Sequence, residues 1–154
     1  MPRSETCPRF YALVCEDDAK FGEKVLESIC QLGGVGVHAS TLDDSVTAIE
    51  MQGLPSEHGG DHPVFDVVLL DGNLHDNPVS RNGSDAQKIC NALLRAARLN
   101  PERKSHEKVG ISATSMLDYG IAVRYDPGKN ITGIEMALKA ILGASPDQLQ
   151  RSTT

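Results

Sequence analysis

The 154-residue sequence is short of aromatic residues and of positive charge. It contains no tryptophan, three tyrosines and three phenylalanines, and its 15 Lys and Arg residues are outnumbered by 21 Asp and Glu residues. A nucleic-acid-binding domain normally carries a basic surface that neutralises phosphates. The formal net charge of −6 therefore argues against DNA or RNA as a direct ligand.

The sequence also lacks long apolar runs and paired cysteines. No stretch approaches the roughly 20 apolar residues of a membrane span, and residues 1–15 do not resemble a signal peptide. We therefore expect a cytoplasmic protein without membrane insertion. The four cysteines, Cys7, Cys15, Cys30 and Cys90, are scattered without a CxxC pair, which predicts free thiols and no zinc site.

Short apolar segments alternate with segments of helical periodicity along most of the chain. The predicted strands are residues 10–15, 35–39, 64–70, 109–111 and 121–125. Asp18 and Thr41 are predicted to cap the first two helices, and Thr132 and Glu135 have the spacing of a capping box for the last one. This alternation predicts an α/β fold with a mainly parallel sheet and helices on both faces. Residues 112–120 leave room for barely two turns of a fourth helix.

Three acids follow two of the predicted strands directly. Glu16 and Asp17 come after the first strand, and Asp71 comes after the apolar run of residues 64–70. Ligands of open α/β sheets bind beyond the carboxyl ends of the strands, so neighbouring strands would bring these carboxylates into one cleft. Such a cluster suits a hard divalent cation such as Mg²⁺, and an aspartate can form an aspartyl-phosphate.

The motifs VCEDD at 14–18, VVLLDGNL at 67–74 and ISA at 111–113 resemble, in order, those of response regulator receiver domains. The resemblance covers residues 10–142 and implies a flavodoxin-like, doubly wound, five-stranded parallel sheet of order 2-1-3-4-5. Residues 1–9 are then an N-terminal extension, and residues 143–154 are a C-terminal tail.

The resemblance also implies a set of site roles. Asp71 is the phosphoacceptor, while Glu16, Asp17, Asp71 and the backbone carbonyl of Asn73 hold Mg²⁺. Ser112 hydrogen-bonds the phosphate, and Ser112 and Tyr125 are the switch residues that move upon phosphorylation.

The chain departs from the family at the end of the fifth strand, where receivers carry a Lys-Pro pair that supplies a phosphate-binding lysine. Here the sequence is VRYDPGKN at 123–130. Either Asp126 and Pro127 occupy the Lys-Pro position and the cation is missing, or a small insertion allows Lys129 to reach the site. We favour Lys129, because it gives the phosphate a point-charge partner.

These features predict a single-domain response regulator rather than an enzyme with an external substrate. It would take a phosphoryl group from a sensor histidine kinase or phosphotransfer protein and signal by contact with a downstream protein. A receiver fragment of a hybrid kinase is also compatible with the sequence. The alternatives are a degenerate receiver that binds partners without phosphorylation and, less well matched, an aspartate-nucleophile phosphatase.

Overall fold

A parallel sheet of four strands forms the centre of the computed structural model, which describes residues 9–57, 59–72, 74, 84–99 and 106–144. The strands are β1 (Tyr11–Cys15), β2 (Val35–Ala39), β3 (Val67–Leu70) and β4 (Glu107–Gly110). Their order in the sheet is β2-β1-β3-β4, and every pairing is parallel. From β1 the chain adds β2 on one side and then β3 and β4 on the other, so the strand order reverses at the boundary between β1 and β3.

Four helices cover the two faces of this sheet. They are α1 (Ala19–Gln31), α2 (Leu42–Glu50), α3 (Ser84–Leu99) and α4 (Ile131–Ala144). Helices α1 and α4 pack on one face and α2 and α3 on the other. Both faces are covered, so β1 and β3 are almost entirely buried apolar runs, as parallel strands usually are.

Successive residues of a strand point to opposite faces, and each face has its own core. Ala12 and Val14 of β1 pack under α1 and α4, whereas Leu13 and Cys15 pack under α2 and α3. Burial raises the pKa of the Cys15 thiol. Cys15, Cys30 and Cys90 are all free, and Cys7 lies outside the described residues.

The predicted fifth strand is wrong as a regular element: the described residues form four strands, not five. Residues 121–125 lie beside β4 but pair with it through one isolated bridge, between Val109 and Tyr125. The N–H of Ile121 bonds to the carbonyl of Met116 instead. Just after the segment, the Asp126 side chain accepts a hydrogen bond from the N–H of Met116 at 2.8 Å.

The predicted short fourth helix is one turn of 3-10 helix, Met116–Tyr119. Other predicted boundaries also shift by a few residues. The strand predicted at 64–70 begins at Val67, since the N–H of Phe65 bonds to the Gln52 side chain at 2.8 Å. Helix α4 continues through Ala144, two residues past the expected end of the domain at Leu142.

Asp18 and Thr41 cap α1 and α2 as predicted, but the predicted cap of α4 is wrong. The N–H of Gly133 bonds to the Asn130 side chain at 3.0 Å, so Asn130 is the N-cap and the helix begins at Ile131, one residue before Thr132. Glu135, the other half of the expected capping box, accepts a hydrogen bond from the Ser28 hydroxyl of α1 at 2.8 Å. An asparagine that fits an N-cap is as good a cap as threonine or better.

This cap gives a testable difference between two neighbouring residues. We expect Asn130→Ala to lower the free energy of unfolding by about 1 kcal/mol, because the first turn of α4 loses a side-chain acceptor. Thr132 is the second residue of the helix and is exposed. Thr132→Ala should therefore change the free energy of unfolding much less. Urea unfolding followed by circular dichroism measures both, and a larger loss for Thr132→Ala would contradict the assigned cap.

Candidate functional site

Three carboxylates meet at the carboxyl edge of the sheet, where the strand order reverses between β1 and β3. Cys15 and Leu70 are partners in the β1–β3 register, so Glu16 and Asp71 are the next residues on adjacent strands. Oxygen atoms of Glu16, Asp17 and Asp71 all lie within 4.8 Å of one another. This is the crevice in which open α/β sheets bind their ligands.

The backbone fixes the position of each acid. The Asp71 N–H bonds to the Cys15 carbonyl at 3.0 Å, and the Glu16 N–H bonds to the Ala39 carbonyl at 3.1 Å. The β1–β3 and β1–β2 pairings thus continue one residue into the loops. The Glu16 side chain is fully buried, and Asp71 is 7% exposed. Neither carboxylate is therefore simply a solvated loop acid.

Lys129 lies in this cleft, as expected if the loop after residue 125 carries an insertion. Its ammonium is 3.3 Å from Asp71 Oδ2 and also pairs with Glu16 Oε2. It lies over the ring of Phe21, 4.9 Å from the centroid, in an arrangement typical of a cation–π contact. The ammonium is thus held between two acids and an aromatic face.

Gly128 allows Lys129 to reach the cleft. Its φ of +73° is unfavourable for residues with a Cβ, and an added Cβ would lie 3.2 Å from the Ser112 carbonyl oxygen. The Gly128 N–H bonds to the Gly110 carbonyl at 3.0 Å. The loop before Lys129 is therefore seated against the end of β4 and the residues that follow it.

Asp126, which takes the lysine's position in the other interpretation of residues 123–130, bonds instead to the start of the 3-10 helix. Its Oδ2 accepts hydrogen bonds from the Ser115 hydroxyl and the Met116 N–H, both at 2.8 Å. Asp126 thus joins the start of the 3-10 helix to the loop that carries Lys129. Lys129, and not Asp126, therefore lies in the cleft with Glu16 and Asp71.

Burial and neighbouring charge perturb the titration of Glu16. Loss of solvent is the largest effect and raises its pKa, the Lys129 ammonium lowers it, and the Asp71 carboxylate raises it again, to about 7. Three carboxylates against one ammonium leave an excess of negative charge in a poorly solvated crevice. An all-oxygen donor set with that charge fits a hard divalent cation such as Mg²⁺.

Ser112 and Tyr125 lie near the same edge. Ser112 follows β4 and is buried, and its hydroxyl is 3.4 Å from the Thr114 nitrogen. Tyr125 is partly buried and packs against the core beneath α1 and α4. Asn73, whose carbonyl was assigned to the metal, lies outside the described residues.

Several residues around the site were missed by the sequence analysis. The buried Asp85 of α3 accepts the N–H of Leu74 at 2.7 Å and so holds the chain just after Asp71. Tyr119 covers Gly72, where an added Cβ would lie 2.3 Å from its ring. His38 of β2 bonds through Nε2 to the Glu16 carbonyl at 2.6 Å. Phe21 faces Lys129, as described above.

Solved structures of similar fold include several receiver domains. A CheY-like receiver domain from Methylobacillus flagellatus has a TM-score of 0.59 and 20% identity, covering 86% of this chain and 98% of its own. The chemotaxis response regulator CheY4 of Vibrio cholerae gives 0.60 and 13%, with coverage of 86% and 98%. A CheY-like receiver domain protein from Methanospirillum hungatei JF-1 gives 0.60 and 16%, with coverage of 92% and 98%.

Sequence comparison alone finds no such relatives: no family model and no curated protein matches the chain. The structural likeness extends over most of this chain and nearly the full length of each of these three neighbours. The fold is therefore that of response regulator receiver domains. Among the described residues, no helix is both long and apolar enough to cross a membrane.

Proposed function

We propose that this chain is a receiver domain of a two-component response regulator and that it is phosphorylated on Asp71. The observation that carries the proposal is the meeting of Glu16, Asp17, Asp71 and Lys129 at the reversal point of a receiver-like sheet. The donor would be a phosphohistidine on a sensor histidine kinase or a phosphotransfer protein. The output would be contact with a downstream protein.

The chemistry requires a nucleophile and compensation of charge. A carboxylate oxygen of Asp71 attacks phosphorus, a P–O bond forms, and the P–N bond breaks with its electron pair leaving on the imidazole. Mg²⁺ held by Glu16, Asp17, Asp71 and the Asn73 carbonyl would supply electrostatic stabilisation of the transferring group. Phosphoryl transfer depends mainly on such positioning and charge.

Ser112 and Lys129 would bind the phosphoryl group once it is attached to Asp71. The phosphoryl group brings new oxygen acceptors to a cleft where the Lys129 ammonium already contacts Asp71. The Ser112 hydroxyl would donate a hydrogen bond to one of these oxygens. Movement of Ser112 and Tyr125 toward that state would carry the signal, because phosphate contacts made only in one conformation shift the equilibrium toward it.

The degenerate-receiver alternative is less well supported. It depended on the absence of a cation from the phosphate site, and Lys129 occupies the cleft.

The direct test of phosphorylation is incubation with a small acyl phosphate such as acetyl phosphate, with Mg²⁺ or with a chelator, followed by mass spectrometry. We expect one added phosphoryl group on Asp71 in the presence of Mg²⁺. If the folded protein is not modified, the result would favour the degenerate receiver that binds partners without phosphorylation.

Lys129→Ala should separate phosphorylation from its readout. We expect the variant to accept phosphate with Mg²⁺, because Asp71 and the metal ligands remain, but to fail to reach the phosphorylated conformation. Mass spectrometry measures the first property, and backbone amide shifts around Ser112 and Tyr125 before and after phosphorylation measure the second.

The matched control is Lys139→Ala, which removes an exposed lysine from α4. This variant should behave like the unaltered protein in both measurements. If the backbone amide shifts of Lys129→Ala changed normally upon phosphorylation, a group other than Lys129 would couple the phosphate to the conformational change.

A further inference from the structure

We propose that His38 is a positioning residue that holds the Glu16–Asp17 segment in place, a role that rests on the proposed Mg²⁺-dependent function. His38 lies on β2, opposite Val14 of β1. Its Nε2 is 2.6 Å from the carbonyl oxygen of Glu16. A carbonyl can only accept, so Nε2 carries the proton and donates it.

This bond completes the backbone anchoring of Glu16. The Glu16 N–H already bonds to the carbonyl of Ala39 at 3.1 Å, so adjacent residues of β2 hold both polar backbone groups of Glu16. With its backbone fixed on the β2 side, the Glu16 side chain is committed to the cleft with Asp17 and Asp71. Its Oε1 there accepts the N–H of Asp18 at 3.2 Å.

Gly22 provides the space for this histidine. A Cβ built on Gly22 would lie 2.5 Å from Cε1 and 2.7 Å from Nε2 of the His38 ring. The ring therefore lies directly against the backbone of the first turns of α1. A glycine within a helix costs up to about 1 kcal/mol relative to alanine, and here its lack of a side chain makes room for the ring that bonds to Glu16.

The His38 hydrogen bond to Glu16 resembles the hydrogen bonds by which residues that do not touch a metal orient the residues that bind it. Loss of such partners commonly lowers metal affinity 10–100-fold even though the ligands themselves remain. His38 touches the Glu16 backbone, so its effect would pass through Glu16. It is a positioning residue rather than a catalytic one.

Gly22→Ala tests this role without removing the histidine. His38 is only partly buried, so its ring can swing toward solvent when the new methyl group takes its place. We expect Mg²⁺ affinity, measured by calorimetry, to fall about tenfold, while helix propensity offsets part of any loss of stability. Gly143→Ala in α4 is the control, because its added Cβ meets nothing within 4 Å, and its affinity should be unchanged.

Two substitutions of His38 separate the hydrogen bond from the packing. His38→Phe keeps a ring but has no donor, and should lose affinity as Gly22→Ala does. His38→Gln retains an N–H donor, so its Mg²⁺ affinity should be close to that of the unaltered protein. Equal affinities in Gly22→Ala, His38→Phe and the unaltered protein would overturn the proposal, and so would an equal loss in His38→Phe and His38→Gln.

Amide hydrogen exchange provides a readout that does not depend on metal. The Asp18 N–H bonds to the Glu16 carboxylate, so it should exchange about tenfold faster in Gly22→Ala and His38→Phe if the segment loosens. If the unaltered protein binds no Mg²⁺ but Asp18 exchange accelerates in these variants, the proposed function fails and the positioning role stands. If Mg²⁺ binds and neither affinity nor exchange changes, the positioning role fails alone.

Discussion

Asp71→Asn is expected to abolish phosphorylation while leaving the fold nearly unchanged. The substitution is close to isosteric and removes the nucleophilic carboxylate. The Asp71 backbone N–H bond to Cys15 does not depend on the side chain and should persist. After incubation with acetyl phosphate and Mg²⁺, mass spectrometry should show a full phosphoryl increment on the unaltered protein and none on the variant.

The control for this experiment is a matched loss of one carboxylate elsewhere. Asp43→Asn in the exposed first turn of α2 makes the same change in charge and size away from the cleft, and should be phosphorylated normally. Circular dichroism and thermal melting establish that both variants are folded. A phosphorylated Asp71→Asn variant would place the acceptor on another residue and refute the assignment.

The double variant Glu16→Gln, Asp17→Asn should lose detectable Mg²⁺ binding. Hard cations need anionic oxygen ligands, and the substitutions leave Asp71 as the remaining charged member of the cluster. Calorimetry at concentrations that saturate the unaltered protein should give no binding heat. Phosphorylation by acetyl phosphate should fall with it, because the developing charge loses its compensation.

Two considerations make this variant interpretable. The neutral Gln side chain avoids the cost of burying a carboxylate, the main cause of the raised pKa of Glu16, so the variant should remain folded. Asp43→Asn, Asp44→Asn removes two adjacent exposed acids from α2 and controls for the change in net charge. Undiminished Mg²⁺ binding in the Glu16, Asp17 variant would place the metal elsewhere.

The sheet and most helices were predictable because their sequence patterns coincide with their burial. The apolar run of β3 is buried on both faces, and the periodic apolar residues of α1 face the core. The irregular pairing of residues 121–125 was not predictable, because their apolar pattern shows neither the bond from the Ile121 N–H to the Met116 carbonyl nor the contact between Asp126 and Met116. Likewise, no local pattern shows that Glu135 bonds to Ser28 of α1 rather than to its own helix.

Some residues of the site were predictable from the sequence, and others were not. Glu16, Asp17 and Asp71 were predictable because strand ends meet at one edge of a parallel sheet. The position of Lys129 was one of two alternatives, and the turn at Gly128 decides between them. Phe21 and His38 were not found, because an aromatic ring under an ammonium and a ring N–H on a distant carbonyl leave no signature in residue spacing.

The strand order also determines when the cleft can form during folding. Asp71 and Lys129 are 58 residues apart in the chain, and Lys129 and Glu16 are 113 apart. Closing such long loops costs chain entropy before their contacts are gained, which makes parallel sheets slow to fold. The β1–α1–β2 unit can assemble from nearby residues, but it holds no complete site. Asp71 and Lys129 can join Glu16 and Asp17 only after β3 and the segment before α4 have docked on this unit, so we expect the complete charge cluster to form late in folding.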